Sequence, residues 1–413
     1  MRSPPPLGWR RPALCVVLLA AACRPSSPHA APAPPPPAEF VLSAGDSAFW
    51  VSSIGGAVHV RGAPLELARV DGRFYEVYVA DDDHSYGEAT FIGQRVYRRD
   101  LVRGDSAVIY QDAVVPRLAR EYGRRHPDDA PLTPGDEPSD EPRWSAVASL
   151  DVSDLHGPFV SFVSHMDVER KGDGRWHTTR RGVIDLRRGG TTSLAAVVGA
   201  AARLATVERQ RGAFLRALRD SARATSGEDG ARAAAMLPFY RLDPDGFSLT
   251  TIDGAPAVAY ALAGTGDGDA GHLVPLTPIP IGEPAWWPDV AATLPVGSVT
   301  GARDVWRHGG YEVVVHYDSA TSPARLALRD STSREWTIAR VPSPVTRIFW
   351  LDAPAVDSAA RRGLARAFDE SSLYDESVRT ASIPGHRTTR HAGLALARRH
   401  QPVRLGHARV PRA

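Results

Sequence analysis

Lysine and cysteine are nearly missing from this chain. Lys171 is the only lysine among 49 basic residues in 413. So uniform an arginine bias reads as a habit of the coding sequence and not as a phosphate-binding device. Cys15 and Cys23 are the only cysteines. If a leader ending at residue 22 is removed, Cys23 stands alone. The rest of the chain then has no structural disulfide and no cysteine-ligated metal. Beyond the leader no unbroken apolar run reaches the ~20 residues that span a bilayer as a helix, which excludes a polytopic helical membrane protein. An H-E-x-x-H sequence, a histidine pair four residues apart and a repeat of fixed period are also missing.

What is present begins at the first residues. "MRSPPPLGWRRP" is basic through Arg2, Arg10 and Arg11. An apolar core, Ala13 to Ala22, follows and is too short to span. A basic start, a short apolar core and small residues at its end predict a signal peptide over 1–22. Ala20-Ala21-Ala22-Cys23 resembles the lipobox of bacterial lipoproteins. That resemblance implies a lipidated Cys23 as first mature residue and a bilayer as its partner. Several acyl chains on one residue would hold the protein firmly. The alternative is plain secretion with a free thiol. Residues 23–39 are rich in Pro and Ala, which favours an extended stalk. Arg24 after the cysteine points to the outer membrane, as lipoprotein sorting implies.

The net charge of +2 conceals an asymmetry. Setting aside three arginines of the leader and seven of the tail leaves 39 basic residues against 47 acidic, a net of −8. An acidic body excludes a nucleic-acid partner. The tail, 383–413, is basic and lacks a sustained apolar face. It reads as an unstructured segment, with contact to anionic lipid head groups as the alternative.

Between these ends, 40–111 reads as short strands with Gly/Asp turns, a small antiparallel β module. "DAVVPRLAREYGRRH" places Val114, Leu118 and Tyr122 on one helical face, with Pro116 in the first turn. The acidic, Pro-rich stretch 127–142 is a loop. Residues 112–283 mix strands with a long helical stretch that Gly199 and Gly212 can break. The predicted fold class is α+β, a mostly antiparallel sheet with helices on one face. A β-rich module ending in helices is predicted over 301–382, so that β modules flank the middle block.

"FVSFVSHMDVERKGDGRWHTTRRGVIDLRRGGTTSLAAVVG" is similar to the extracytoplasmic domain of unknown function of RsiV-type anti-sigma factors, which sense lysozyme. The matching residues are Gly172, Gly174, His177, Asp185, Leu186, Gly189, Ser193 and Leu194. Phe239, Leu242, Gly246 and Phe247 fit the family's later hairpin. The likeness covers roughly 110–283. It implies an α+β fold and an extracytoplasmic recognition role. The sigma-binding region has no counterpart here, so that role is not carried over.

Several constellations invite chemistry. "GDSA" occurs at Gly45–Ala48 and Gly104–Ala107, and Gly-Asp-Ser opens the SGNH hydrolases. Asp81 and His84 lie too early for that family's histidine block, and Gly-Asp is an ordinary turn former. Asp81, Asp82, Asp83 and Glu88 could gather on Ca²⁺, but their spacing is not that of an EF-hand. Gly264–His272 reads as a hairpin tip. Trp286 and Trp287, between two prolines, form an exposed-looking pair. They are a candidate ligand contact for a protein or glycan, or the closure of a domain junction. No metal or cofactor is implied. The expectation is a membrane-anchored envelope lipoprotein with a recognition or sensing role, more a binder than an enzyme. An envelope hydrolase using unidentified carboxylates or Ser is the alternative.

Overall fold

The computed structural model describes residues 34–372, apart from 55–56, 134–135, 137–138, 140, 173, 225–226, 228–239, 242, 265–272, 276, 300–301, 320–321 and 354–355. The chain divides into two compact units, Met1–Pro34 and Pro35–Ala413, and the description concerns the second. In chain order come β1 (Ala38–Ala44), β2 (Ser47–Ile54), β3 (Ala57–Ala63), β4 (Leu67–Val70), β5 (Arg73–Asp83), β6 (Ala89–Asp100), β7 (Ser106–Gln111) and helix α1 (Val114–Arg125). The middle holds β8 (Trp144–His156), β9 (Phe159–Arg170), β10 (Gly174–Asp185), α2 (Leu194–Val198), α3 (Ala201–Ala224), β11 (Tyr240–Arg241), β12 (Phe247–Ile252), β13 (Ala255–Gly264), β14 (Leu273–Pro275) and β15 (Ile279–Pro280). Last come α4 (Trp287–Ala291), β16 (Gly297–Val299), β17 (Arg303–His308), β18 (Tyr311–His316), β19 (Ala324–Asp330), β20 (Glu335–Val341), β21 (Val345–Trp350) and α5 (Ser358–Ser372). The protein is mostly β, in several largely antiparallel sheets.

β1 explains much of the architecture. Its sequence AEFVLSA is apolar on both sides, so it belongs in the middle of a layered structure. It pairs with β2 and, across almost the whole chain, with β21: Phe40 faces Trp350 and Leu42 faces Ile348. Phe40 and Leu42 point into a core shared with Trp306, Val313, Val315, Leu326 and Leu328 of the β16–β20 sheet. Val41, one residue out of phase, points to the opposite core with Leu67, Phe74, Phe349, Leu364 and Phe368. The period-2 alternation of a strand produces this division. Each fully buried Val, Leu or Phe stabilises by about 1.5–3 kcal/mol.

The expected β module over 40–111 is therefore divided. β1–β3 join β21 in a four-stranded sheet, whereas β4–β7 join β8–β10 in a seven-stranded one. The N- and C-terminal β regions are not separate flanks, because they pack on each other as one sandwich.

The seven-stranded sheet runs β10-β9-β8-β6-β5-β4, with β7 also on β6. Only β6 and β8 are parallel. It bends around a core drawn from all seven of its strands, including Val70, Val77, Val96, Ile109, Leu150, Phe162 and Ile184. The turn after β10 closes the bend, where the Gly190 N–H donates to the Ile109 carbonyl at 2.6 Å. α1 buries Val115, Leu118 and Tyr122 against Ala146, Met166 and Val168 on the even-numbered side of β8 and β9. α2 and α3 pack with Phe159 and Val183, on the odd-numbered side. The helices thus divide between the two faces of this sheet instead of sharing the one face expected, because strand neighbours alternate sides. The long helical stretch breaks at Gly199, which adopts a left-handed φ of 74° and caps α2. Gly212 lies inside α3 and does not break it. Among the described residues no helix is long and apolar enough to cross a membrane, which says nothing about strands.

Candidate functional site

The residues of the RsiV-like pattern fall at two ends of one strand. Gly172 and Gly174 shape the β9–β10 hairpin with φ of +94° and +95°, a region that favours glycine. His177 lies directly across from Asp167 and its Nδ1 meets that carboxylate. Arg175 approaches the same Asp167 at 3.6 Å. Asp185 is eight residues further on, roughly 27 Å along an extended strand. There it organises a turn. Its N–H donates to the Gly190 carbonyl at 3.1 Å, its carbonyl accepts from Gly189 at 2.8 Å, and its carboxylate accepts from the Arg187 N–H at 2.8 Å. Ser193 then caps α2 by accepting from the Ala196 N–H. These residues do not converge on one centre.

Asp185 does meet Trp286, through a cleft of about 360 Å³. One wall is the turn after β10, with Asp185, Arg187 and Arg188. Ala285, Trp286 and Asp289 around the start of α4, Ala196 of α2, Phe159 of β9 and Asp71 of the β4–β5 turn complete the lining. Asp71 and Arg187 form a two-pronged ion pair at 2.9 and 2.7 Å. That hydrogen bonding from Arg187 holds the Asp71 carboxyl below the usual carboxylate range. The same bond raises the Arg187 guanidinium. Arg188 and Asp289 are exposed and make no hydrogen bond or ion pair with described residues. The negative charge of Asp289 still supports Arg187 and Arg69 through space. The cleft therefore brings Trp286 and Phe159 together with two exposed opposite charges, Arg188 and Asp289, that form no ion pair with described residues.

The tryptophan pair is not exposed. Trp286 is 8% and Trp287 4% accessible. They meet edge to face at 5.8 Å, and Trp286 meets Phe159 at 5.4 Å. The Trp286 indole N–H donates to the Val197 carbonyl at 2.9 Å. Flanking prolines suggested an open loop, but the indoles close the packing between α2, α4 and β9. Only part of Trp286 reaches the cleft.

The remaining candidates have local roles. In both GDSA stretches the Gly-Asp pair lies in a hairpin connection and the Ser-Ala pair opens the next strand, with φ of +60° at Gly45 and +81° at Gly104. Asp81–Asp83 end strand β5. Asp81 accepts from Gln94, Asp83 from the Ser85 N–H, and Glu88 pairs with Arg143. Asp82 is shared by His84, Arg95 and Gln111. No group of three metal-ligating side chains is found among the described residues. Cys23, the leader, the basic tail, Phe239, Leu242 and the expected hairpin tip at 265–272 lie outside the described residues. Arg187, Arg188, Asp71 and Asp289 were not singled out from sequence. The available signal was the arginine pair directly after the Asp-Leu turn.

No protein-family model matches the chain, and neither does any curated protein. A prolyl endopeptidase structure is 9% identical, with 76% of this chain and 43% of that one covered and a TM-score of 0.18. Prolyl oligopeptidase B from Galerina marginata is 10% identical, with 76% and 42% covered and a TM-score of 0.15. The chain spans less than half the length of either. Likeness at this level carries no argument about fold or activity.

Proposed function

We propose that this chain is an exported, lipid-anchored protein of the cell envelope, placed in the outer membrane, that recognises a ligand. The anchor reading rests on the basic start, the short apolar core and Cys23 after three alanines. The resemblance of 110–283 to RsiV-type extracytoplasmic domains supports a recognition role. The observation that carries it is the cleft, where Arg188 and Asp289 stand uncommitted beside Trp286 and Phe159. Opposite charges beside aromatic side chains suit a small polar group shown by a larger ligand, such as a glycan unit or a peptide end. Asp71, held ionised by Arg187, serves as a fixed charge and not as a proton donor.

Two experiments test this reading. Labelled palmitate should mark the full chain, and Cys23→Ser should lose both label and envelope sedimentation. An unlabelled chain, or a Cys23→Ser variant that still sediments with the envelope, ends the anchor reading. Peptidoglycan fragments should bind the full chain in detergent, and an Arg188→Ala/Asp289→Ala variant should bind at least about tenfold more weakly. Equal binding by the variant removes the cleft from the proposal.

A further inference from the structure

The lining of the cleft carries five charges. Arg187 and Arg188 lie on the turn after β10, with Asp71, Asp185 and Asp289 around them. Arg187 and Asp71 neutralise each other through their two-pronged pair. The Asp185 carboxylate accepts a backbone N–H, that of Arg187, and makes no ion pair with described residues. Arg188 and Asp289 have no hydrogen bond or ion pair with described residues. One positive and two negative charges are thus left without an ion-pair partner among the described residues. They share a space of about 360 Å³, near the small end of the range for small-molecule cavities. The rest of the lining is apolar: two alanines, Phe159 and Trp286.

This balance discriminates among ligands. A ligand that fills the cleft takes water from these charges, and a charge so covered must find a partner. A neutral ligand offers none. An anion satisfies Arg188 but meets two carboxylates. A cation satisfies the carboxylates but strands Arg188. A group bearing both signs matches the whole lining. We infer that the cleft binds an amino-acid centre whose α-ammonium and α-carboxylate are both free. The carboxylate would lie on Arg188, the ammonium on Asp289, and an apolar side chain beside Trp286 and Phe159. Such a centre occurs in a free amino acid and in a residue joined to a larger molecule through its side chain. That choice of ligand rests on the recognition role proposed for the cleft and narrows it, since an uncharged glycan unit matches neither sign.

The test is calorimetric titration of the full chain in detergent. Leucine represents the free form, and Nε-acetyl-lysine the form linked through its side chain. At least one should bind saturably, and the tighter identifies the form. Acetylating the α-ammonium of that binder, or converting its α-carboxylate to an amide, should weaken binding at least about tenfold in each case. Arg188→Gln should abolish the preference for the free carboxylate and keep that for the free ammonium, and Asp289→Asn should do the reverse. Both variants change exposed side chains, so the fold withstands them. Failure of both amino acids to bind, equal binding of the blocked forms, or preferences that neither variant moves would overturn the inference. If peptidoglycan fragments still bind through Arg188 and Asp289 in that event, the recognition role stands without this ligand. If the fragments fail as well, both are lost.

Discussion

Arg347 of β21 and Asp154 of β8 are 193 residues apart and form an ion pair at 2.5 Å. The pair joins the sandwich to the seven-stranded sheet. The Arg347 side chain is 11% accessible and that of Asp154 37%. Glu66 and His156 feel both charges. Two ionisable groups are thus drawn into the same junction.

Removing only Arg347 should be costly, since it strands nearby carboxylates without a counter-charge. Arg347→Met should destabilise by about 1–3 kcal/mol, less than a fully buried pair because Asp154 is partly solvated. The Arg347→Met/Asp154→Asn double variant should cost less than the two single changes summed. Urea unfolding of all four proteins measures this coupling.

Burial pushes Glu66 up to about 7, against the pull of Arg347. The fold therefore favours its protonated form. That contribution is full below the unfolded value near 4.5 and is lost as pH rises to about 7. Glu66→Gln should be more stable than the parent by roughly 1–2 kcal/mol at pH 8, with the gain gone near pH 4. Melting temperatures across that range would show it, and a pH-independent difference would contradict it.

His156 runs the other way. Burial brings it down to about 4, and its Nδ1 has no hydrogen-bond partner. The fold favours the neutral ring, so stability present above the usual value of 6.5 is lost as pH falls toward 4. His156→Phe, similar in volume, should change stability by under about 1.5 kcal/mol at pH 7. It should also flatten the acid limb of the stability curve. An unchanged acid limb would show that His156 is not its source.

Gly363 sits where α5 presses on the backbone of Leu101, and a Cβ there would collide with the Leu101 carbonyl. Arg366, one turn on, donates to that same carbonyl at 2.8 Å. Gly363→Ala should cost about 2 kcal/mol or more, despite alanine's better helix propensity. Thermal unfolding would reveal any stabilisation instead, which would mean the helix can shift outward.

The strands and α1 were largely legible, because alternation and the Val-Leu-Tyr face are local properties. Which strands share a sheet was not. Phe40 carries nothing in its neighbourhood that names Trp350, and both faces of β1 are apolar wherever it lies. The division of helices between two faces depends on sheet order, which periodicity does not encode. At the cleft, Asp185 and Trp286 were noticed for separate reasons, a turn motif and an aromatic pair. Their meeting depends on α4 packing against β9. Asp289 is an ordinary acid after a proline, and only the folded arrangement brings it into one cleft with Arg188.

The pairing of β1 with β21 has a consequence for synthesis. A chain made from its N-terminus presents Phe40, Val41 and Leu42 long before Ile348 and Trp350 exist to cover them. Closure of the sandwich is postponed until nearly the whole body has emerged, and a product halted before Val345 leaves that strand half bare. Holding such a segment apart from its neighbours in the meantime is a task for a chaperone.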